Sequence, residues 1–192
     1  MVVLVSSSLV GASDLPCDGP RGSHVAFFVE EAGRLPTGTE PVGTSSTGLR
    51  LVDVEDDGDL DVFVAQGTAS LDARPNVLFI NDGQGFFIDD SAARLPQGLD
   101  ANSTSADFAD VDGDGDLDAV VANVGPEQLL LNDGTGHFVE ATARHASFPA
   151  EQASTAAAFG DLDGDGDVDL IVAGTGDGDV GRERVFLQTG PK

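Results

Sequence analysis

Apolar residues in this chain fall in short runs set between glycines and aspartates, with no longer stripe at helical spacing. Residues 60–65 (LDVFVA), 117–122 (LDAVVA) and 168–173 (VDLIVA) share one length and one order. They are short, rich in β-branched residues and bounded by turn formers, whereas a helix needs a longer stripe at a 3.6-residue period, so each predicts a strand. A second strand follows at 77–80 and again at 129–131, leading into Asn81-Asp82-Gly83-Gln84-Gly85 or Asn132-Asp133-Gly134-Thr135-Gly136. The Asp-Gly step favours positive backbone φ and reverses the chain, which predicts hairpins with returning strands at 86–89 and 137–140.

The order of these features repeats. Ser46-Thr47-Gly48-Leu49-Arg50-Leu51-Val52-Asp53 is matched by Ser103-Thr104-Ser105-Ala106-Asp107-Phe108-Ala109-Asp110 and by Ser154-Thr155-Ala156-Ala157-Ala158-Phe159-Gly160-Asp161. The final aspartates are 57 and then 51 residues apart, a period in the range of propeller blades. The Ser-Thr pairs precede a strand in every copy, which suggests a repeated turn bond. Upstream, Phe27 to Glu31 leads to Leu35-Pro36 as Phe86 to Asp90 leads to Leu95-Pro96. Residues 1–45 therefore read as a partial first blade, with a strand at 2–6 and an Asp/Gly/Pro-rich insertion at 13–22. Residues 46–102 and 103–153 read as whole units, and 154–192 as a unit cut short at the hairpin turn near Gly190.

Each unit carries a nine-residue acidic loop. The regular copies are Asp110-Val111-Asp112-Gly113-Asp114-Gly115-Asp116-Leu117-Asp118 and Asp161-Leu162-Asp163-Gly164-Asp165-Gly166-Asp167-Val168-Asp169. Calcium takes six to eight oxygen ligands, and carboxylates at alternate positions can wrap one point if glycine allows the bend. This predicts side-chain ligands at positions 1, 3, 5 and 9, namely Asp110, Asp112, Asp114 and Asp118, then Asp161, Asp163, Asp165 and Asp169. Position 7, Asp116 or Asp167, would give a backbone carbonyl, with Gly115 and Gly166 at the bend. The first copy is degenerate: Asp53, Glu55, Asp57, Asp59 and Asp61 hold positions 1, 3, 5, 7 and 9, and Asp56 stands where the others have glycine. Solvated turns also favour aspartate and glycine, but a turn gains nothing from the repulsion among so many carboxylates. Magnesium fits less well because it demands tight octahedral geometry and holds its waters. An EF-hand would need glutamate at position 12, where Val64, Val121 and Val172 lie within expected strands. Nonapeptide calcium rolls repeat over a far shorter period.

The stretch Phe108-Ala109-Asp110 through Asp118, then Ala119-Val120-Val121-Ala122 and Leu129-Leu130-Leu131-Asn132-Asp133-Gly134-Thr135-Gly136-His137-Phe138, resembles the FG-GAP-like or VCBS repeat. That family includes the propeller of integrin α-subunits and many bacterial secreted proteins. The resemblance covers most of residues 46–190. It implies an all-β fold, a β-propeller with blades of four antiparallel strands, and calcium in an inter-strand loop. The chain holds about three and a half such blades, fewer than the four to eight of a closed ring. It is expected to be a fragment of a larger propeller or, second, to close by self-association.

Charge narrows the partners. Acidic residues outnumber basic ones 34 to 9 for a net charge of −25, which favours cations and disfavours nucleic acid or an anionic membrane surface. The loops account for much of it, with six acidic residues in the first and five in each of the others. No apolar stretch approaches the roughly 20 residues of a membrane span. Cys17 is the single cysteine, so no internal disulfide can form. His24, His137 and His145 lack zinc-like spacing, and the phenylalanines suit a core. No nucleophile with a base and no phosphate loop is evident, so an enzyme is not expected. The resemblance implies a secreted or cell-surface scaffold for protein or glycan. The alternative is a lectin-like or ancillary non-catalytic domain of a secreted carbohydrate-active enzyme; a third class is a structural spacer.

Overall fold

The computed structural model describes residues 28, 30–36, 45–67, 73–149, 153–175 and 183–189. The strand expected at 2–6, the insertion at 13–22 and the turn at Gly190 lie outside the described residues, and the hairpin tail at 27–31 lies only partly within them. The chain divides into two units, Met1–Ala32 and Gly33–Lys192.

Among the described residues the second unit holds three antiparallel sheets in succession along the chain. The first runs β1 (Ser45–Val52), β2 (Asp61–Gly67), β3 (Val77–Asn81) and β4 (Phe87–Asp89), paired in chain order. The second repeats it as β5 (Ser103–Ala109), β6 (Asp118–Asn123), β7 (Gln128–Asn132) and β8 (Phe138–Glu140). Among the described residues the third holds β9 (Ala153–Gly160), β10 (Asp169–Thr175) and β11 (Glu183–Phe186). The strands expected at 60–65, 117–122 and 168–173 begin one residue later, at Asp61, Asp118 and Asp169, because Leu60, Leu117 and Val168 still belong to the loops. Two short helices, α1 (Ser91–Arg94) and α2 (Thr142–His145), follow the fourth strands. One helical turn is too short to leave a periodic signature, and the sequence did not announce them.

The sheets stack face to face as blades, with their inner strands β1, β5 and β9 side by side. Val54, Phe63, Leu78 and Ile80 of the first blade pack on Ala119, Val121, Leu130 and Phe138 of the second. The other face of the second blade, through Val120 and Ala122, packs on Ala157, Leu170 and Val172 of the third. Every residue of β2 and β6 is buried. Burial on both faces is why these runs are apolar throughout instead of alternating. Phe108 stands edge-on to Phe63 and Phe138, at 5.5 and 6.4 Å between ring centres, so these rings fill the core as expected. Among the described residues Phe28 and Phe86 are exceptions: both lie exposed, Phe86 with the Arg34 guanidinium 4.2 Å from its ring centre. The result is a partial, propeller-like all-β array.

The repeated Ser-Thr pairs correct an expectation, because they lie within strands and not in turns. In each inner strand the register slips by one residue at the threonine, leaving Thr47, Thr104 and Thr155 as bulges. A bulge re-aims its side chain. The Thr47 hydroxyl lies 2.9 Å from the Ala65 carbonyl oxygen of its own blade and 2.6 Å from that of Ser103 in the next. Thr104 stands likewise 3.1 Å from Ala122 and 2.8 Å from Ser154. Thr155 reaches Ala173 at 3.3 Å.

Gly48 sits at the same junction. A Cβ there would come 2.8 Å from the Thr104 carbonyl oxygen and 3.0 Å from Ser105 Cα, and this backbone cannot yield without parting the blades. Gly48→Ala is expected to cost about 1–3 kcal/mol, read as a lower urea midpoint at unchanged slope. A neutral result would mean that the inner strands are not packed this closely.

Candidate metal centre

The acidic loops join the first two strands of each blade, and their carboxylates shape them position by position. At position 1, Asp110 accepts from the amides of Gly113 and Gly115 at 2.7 and 3.2 Å, and Asp161 from Gly164 and Gly166 at 2.6 and 3.2 Å. Asp53 accepts from Asp57 and Gly58 at 3.1 and 2.8 Å. Drawing the loop round its first aspartate puts Gly113 and Gly164 at φ 81° and 84°, a region costly for a side chain. Asp56 occupies that place in the first loop at φ 53°, the one non-glycine with positive φ among the described residues. Further along, Asp112 accepts from the Asp114 amide at 3.3 Å and Asp163 from that of Asp165 at 3.1 Å. Asp114, Asp165 and Asp57 accept from Asp116, Asp167 and Asp59 at 3.0, 2.9 and 3.0 Å.

Position 9 does more than the sequence suggested. Asp61, Asp118 and Asp169 are buried, and each bridges two backbone amides. One oxygen accepts from loop position 2, that is Val54 at 3.2 Å, Val111 at 3.0 Å and Leu162 at 2.8 Å. The other accepts from Asn81 at 2.8 Å, Asn132 at 2.9 Å and Gln188 at 2.9 Å. These carboxylates tie loop to hairpin. Burial pushes Asp118 up to about 6 and raises Asp61. The amides of Gln188 and Leu162 instead hold Asp169 below its ordinary value. Asp112 is raised by partial burial first and by the charge of Asp114 next.

Two clusters emerge. One carboxylate oxygen from each of Asp110, Asp112 and Asp114 lies within 4.8 Å of the others, and the same holds for Asp161, Asp163 and Asp169. Oxygens bound to one calcium at about 2.4 Å stand no farther apart than this, so each cluster can hold a metal ion. Asp118 and Asp165 lie outside the clusters of their loops, and the first loop gathers no such group among the described residues. Asp59 and Asp116, at position 7, lie against the hairpins: a Cβ on Gly83 or Gly134 would stand 2.6 or 2.5 Å from the Oδ2 of Asp59 or Asp116. Asp167 is half-buried at the matching place.

Three further residues complete the frame. Asn81 and Asn132 each hold two hairpin amides on Oδ1, those of Gly83 and Gly85 and those of Gly134 and Gly136. Asn132 also donates from Nδ2 to the Val54 carbonyl in the preceding blade at 2.9 Å, and Gln188 reaches Val111 likewise at 3.1 Å. Only the recurrence of Asn-Asp-Gly hinted that the asparagine was more than a turn former. Glu55 departs from its loop: Arg94 donates to it at 2.6 Å and to Asp90 at 2.6 Å.

A model of the FG-GAP-like repeat matches the chain twice, over residues 53–121 and 110–172. Each match runs from one acidic loop into the second strand of the next blade. No curated protein matches the chain. The two matches together run from 53 to 172, more than half of the 192 residues: the chain belongs to the FG-GAP-like repeat family.

Proposed function

We propose that this chain is a calcium-binding β-propeller module of the integrin α-subunit type, a non-catalytic scaffold that works outside the cell and presents its loops to a protein or glycan partner. The observation that carries this reading is the gathering of Asp110, Asp112 and Asp114, and again of Asp161, Asp163 and Asp169, within the reach of one ion. Calcium bound there neutralises crowded carboxylates and stiffens the loops between strands. Millimolar calcium outside cells would keep such sites filled. The recurrence of the same carboxylates in a structural frame favours a scaffold over hydrolysis.

The outer face of the third blade bears on the partner. Val54, Phe63, Leu78 and Ile80 are buried against the second blade, whereas their counterparts Leu162, Ile171, Val185 and Leu187 are exposed. Ile171 pairs with Val185 as Phe63 pairs with Leu78. A further blade of this repeat, in a larger propeller or a second copy, would cover that face.

Titration of chelator-stripped protein with calcium tests the proposal. Two ions per chain are expected, with dissociation constants of about 10⁻⁴–10⁻³ M, as in extracellular calcium modules. Asp112→Ala should remove one ion and Asp163→Ala the other. An absence of binding, or binding that survives both changes, sinks it.

A further inference from the structure

The first acidic loop does not fit a metal as its two sisters do. Among the described residues it assembles no group of three carboxylates, and its position 3 is glutamate, whose longer arm leaves the loop. We propose that the Arg94 guanidinium, and not a metal ion, is the cation that position 3 of this loop serves, and that it locks the first blade to the second.

Arg94 closes α1, and its side chain is only 12% exposed. Nη2 donates to Glu55 Oε1 at 2.6 Å and Nε to Asp90 Oδ2 at 2.6 Å, so two carboxylates of the first blade share one cation. Nη1 donates to the Thr135 carbonyl in the hairpin of the second blade. The seat is built for it: a Cβ on Gly136 would stand 2.5 Å from Nη1. The fork of a guanidinium can serve three acceptors at once, which an ammonium or a point charge does less well. The second blade lacks the device. His145 closes α2 and is exposed, Ala141 stands where Asp90 does, and the second blade's own loop keeps Asp112 at position 3. Aspartate there stays within its loop, accepting from position 5.

The metal half of this proposal rests on the calcium reading, and the ion-pair half does not. The test therefore has two arms. In EDTA, Glu55→Gln and Arg94→Gln are each expected to lower the melting temperature by about 5 °C, and the double variant to fall no further than the worse single one. Additive losses overturn the proposal. Arg94→Lys, which keeps charge without the fork, should recover part of the loss. In the second arm, calcium is counted on the wild type and on a variant combining Glu55→Asp, Asp56→Gly and Arg94→Gln. Two ions rising to three is the expected result. Three on the wild type, or two on both, overturns the proposal, and if the triple variant does not fold the wild-type count decides alone. No ion on either protein defeats the calcium reading, and the EDTA arm then decides the role of Arg94.

Discussion

Arg184→Met is expected to destabilise the fold by about 3–5 kcal/mol, the usual cost of removing one partner of a buried ion pair. Glu127 leads into β7 of the second blade with its side chain fully buried, and Arg184 reaches it from β11 of the third. The guanidinium and the Ser154 hydroxyl both donate to Oε1, and Arg184 Nη2 lies 2.8 Å from Ser154 Oγ. Oε2 has no hydrogen-bond partner among the described residues, so the carboxylate depends on these two donors. Methionine keeps most of the arginine's bulk while stranding a buried negative charge. For a chain of this size the loss corresponds to roughly 10–15 °C in melting temperature. Adding Glu127→Gln should return much of it, because the charge and not the packing is at issue. A loss below about 1 kcal/mol, the scale of an exposed pair, would mean that Glu127 is solvated.

Removing calcium should have an effect of similar size. Millimolar calcium at ten times a dissociation constant of about 10⁻⁴ M contributes about 1.4 kcal/mol per site, so two filled loops give about 3 kcal/mol and a fall on the order of 5–10 °C in EDTA. The variant carrying Asp112→Ala and Asp163→Ala should melt at one temperature with or without calcium. An equal calcium shift in wild type and variant would place the ions elsewhere. Acid should partly substitute for the metal. Asp118 titrates at about 6 in the folded chain against an ordinary 3.8. Its folded form therefore holds the proton more tightly, and its ionisation opposes folding above pH 6 and does not below 3.8. In EDTA, stability is expected to rise as pH falls from 7 to 5. Asp169, shifted the other way, titrates below that window.

The sequence was most legible where one physical demand ruled. Strands β2 and β6 showed because both their faces are buried, leaving apolar runs with no alternation to confuse, and β10 showed because it repeats their order. The loops showed because few structures other than ion sites crowd aspartate at alternate positions. Harder to read was the division of labour among the aspartates, since Asp112 and Asp118 have the same chemistry and differ only in the amides that face them. The ion pairs were beyond reach, as Glu55 and Arg94 lie 39 residues apart and Glu127 and Arg184 57 apart. Nothing local distinguishes these arginines from others on a surface. The threonine bulges were half visible: their recurrence was plain, but a one-residue register slip leaves no mark on composition.

Those bulges have a consequence for how such an array can grow. Thr47 and Thr104 each join their own sheet to the serine of the next and to nothing beyond it, so cohesion passes between nearest neighbours alone. A unit that carries the bulged threonine on its inner strand and the serine before it brings both halves of the clasp. Duplication or loss of one such unit then changes the length of the array without any new joint having to be invented.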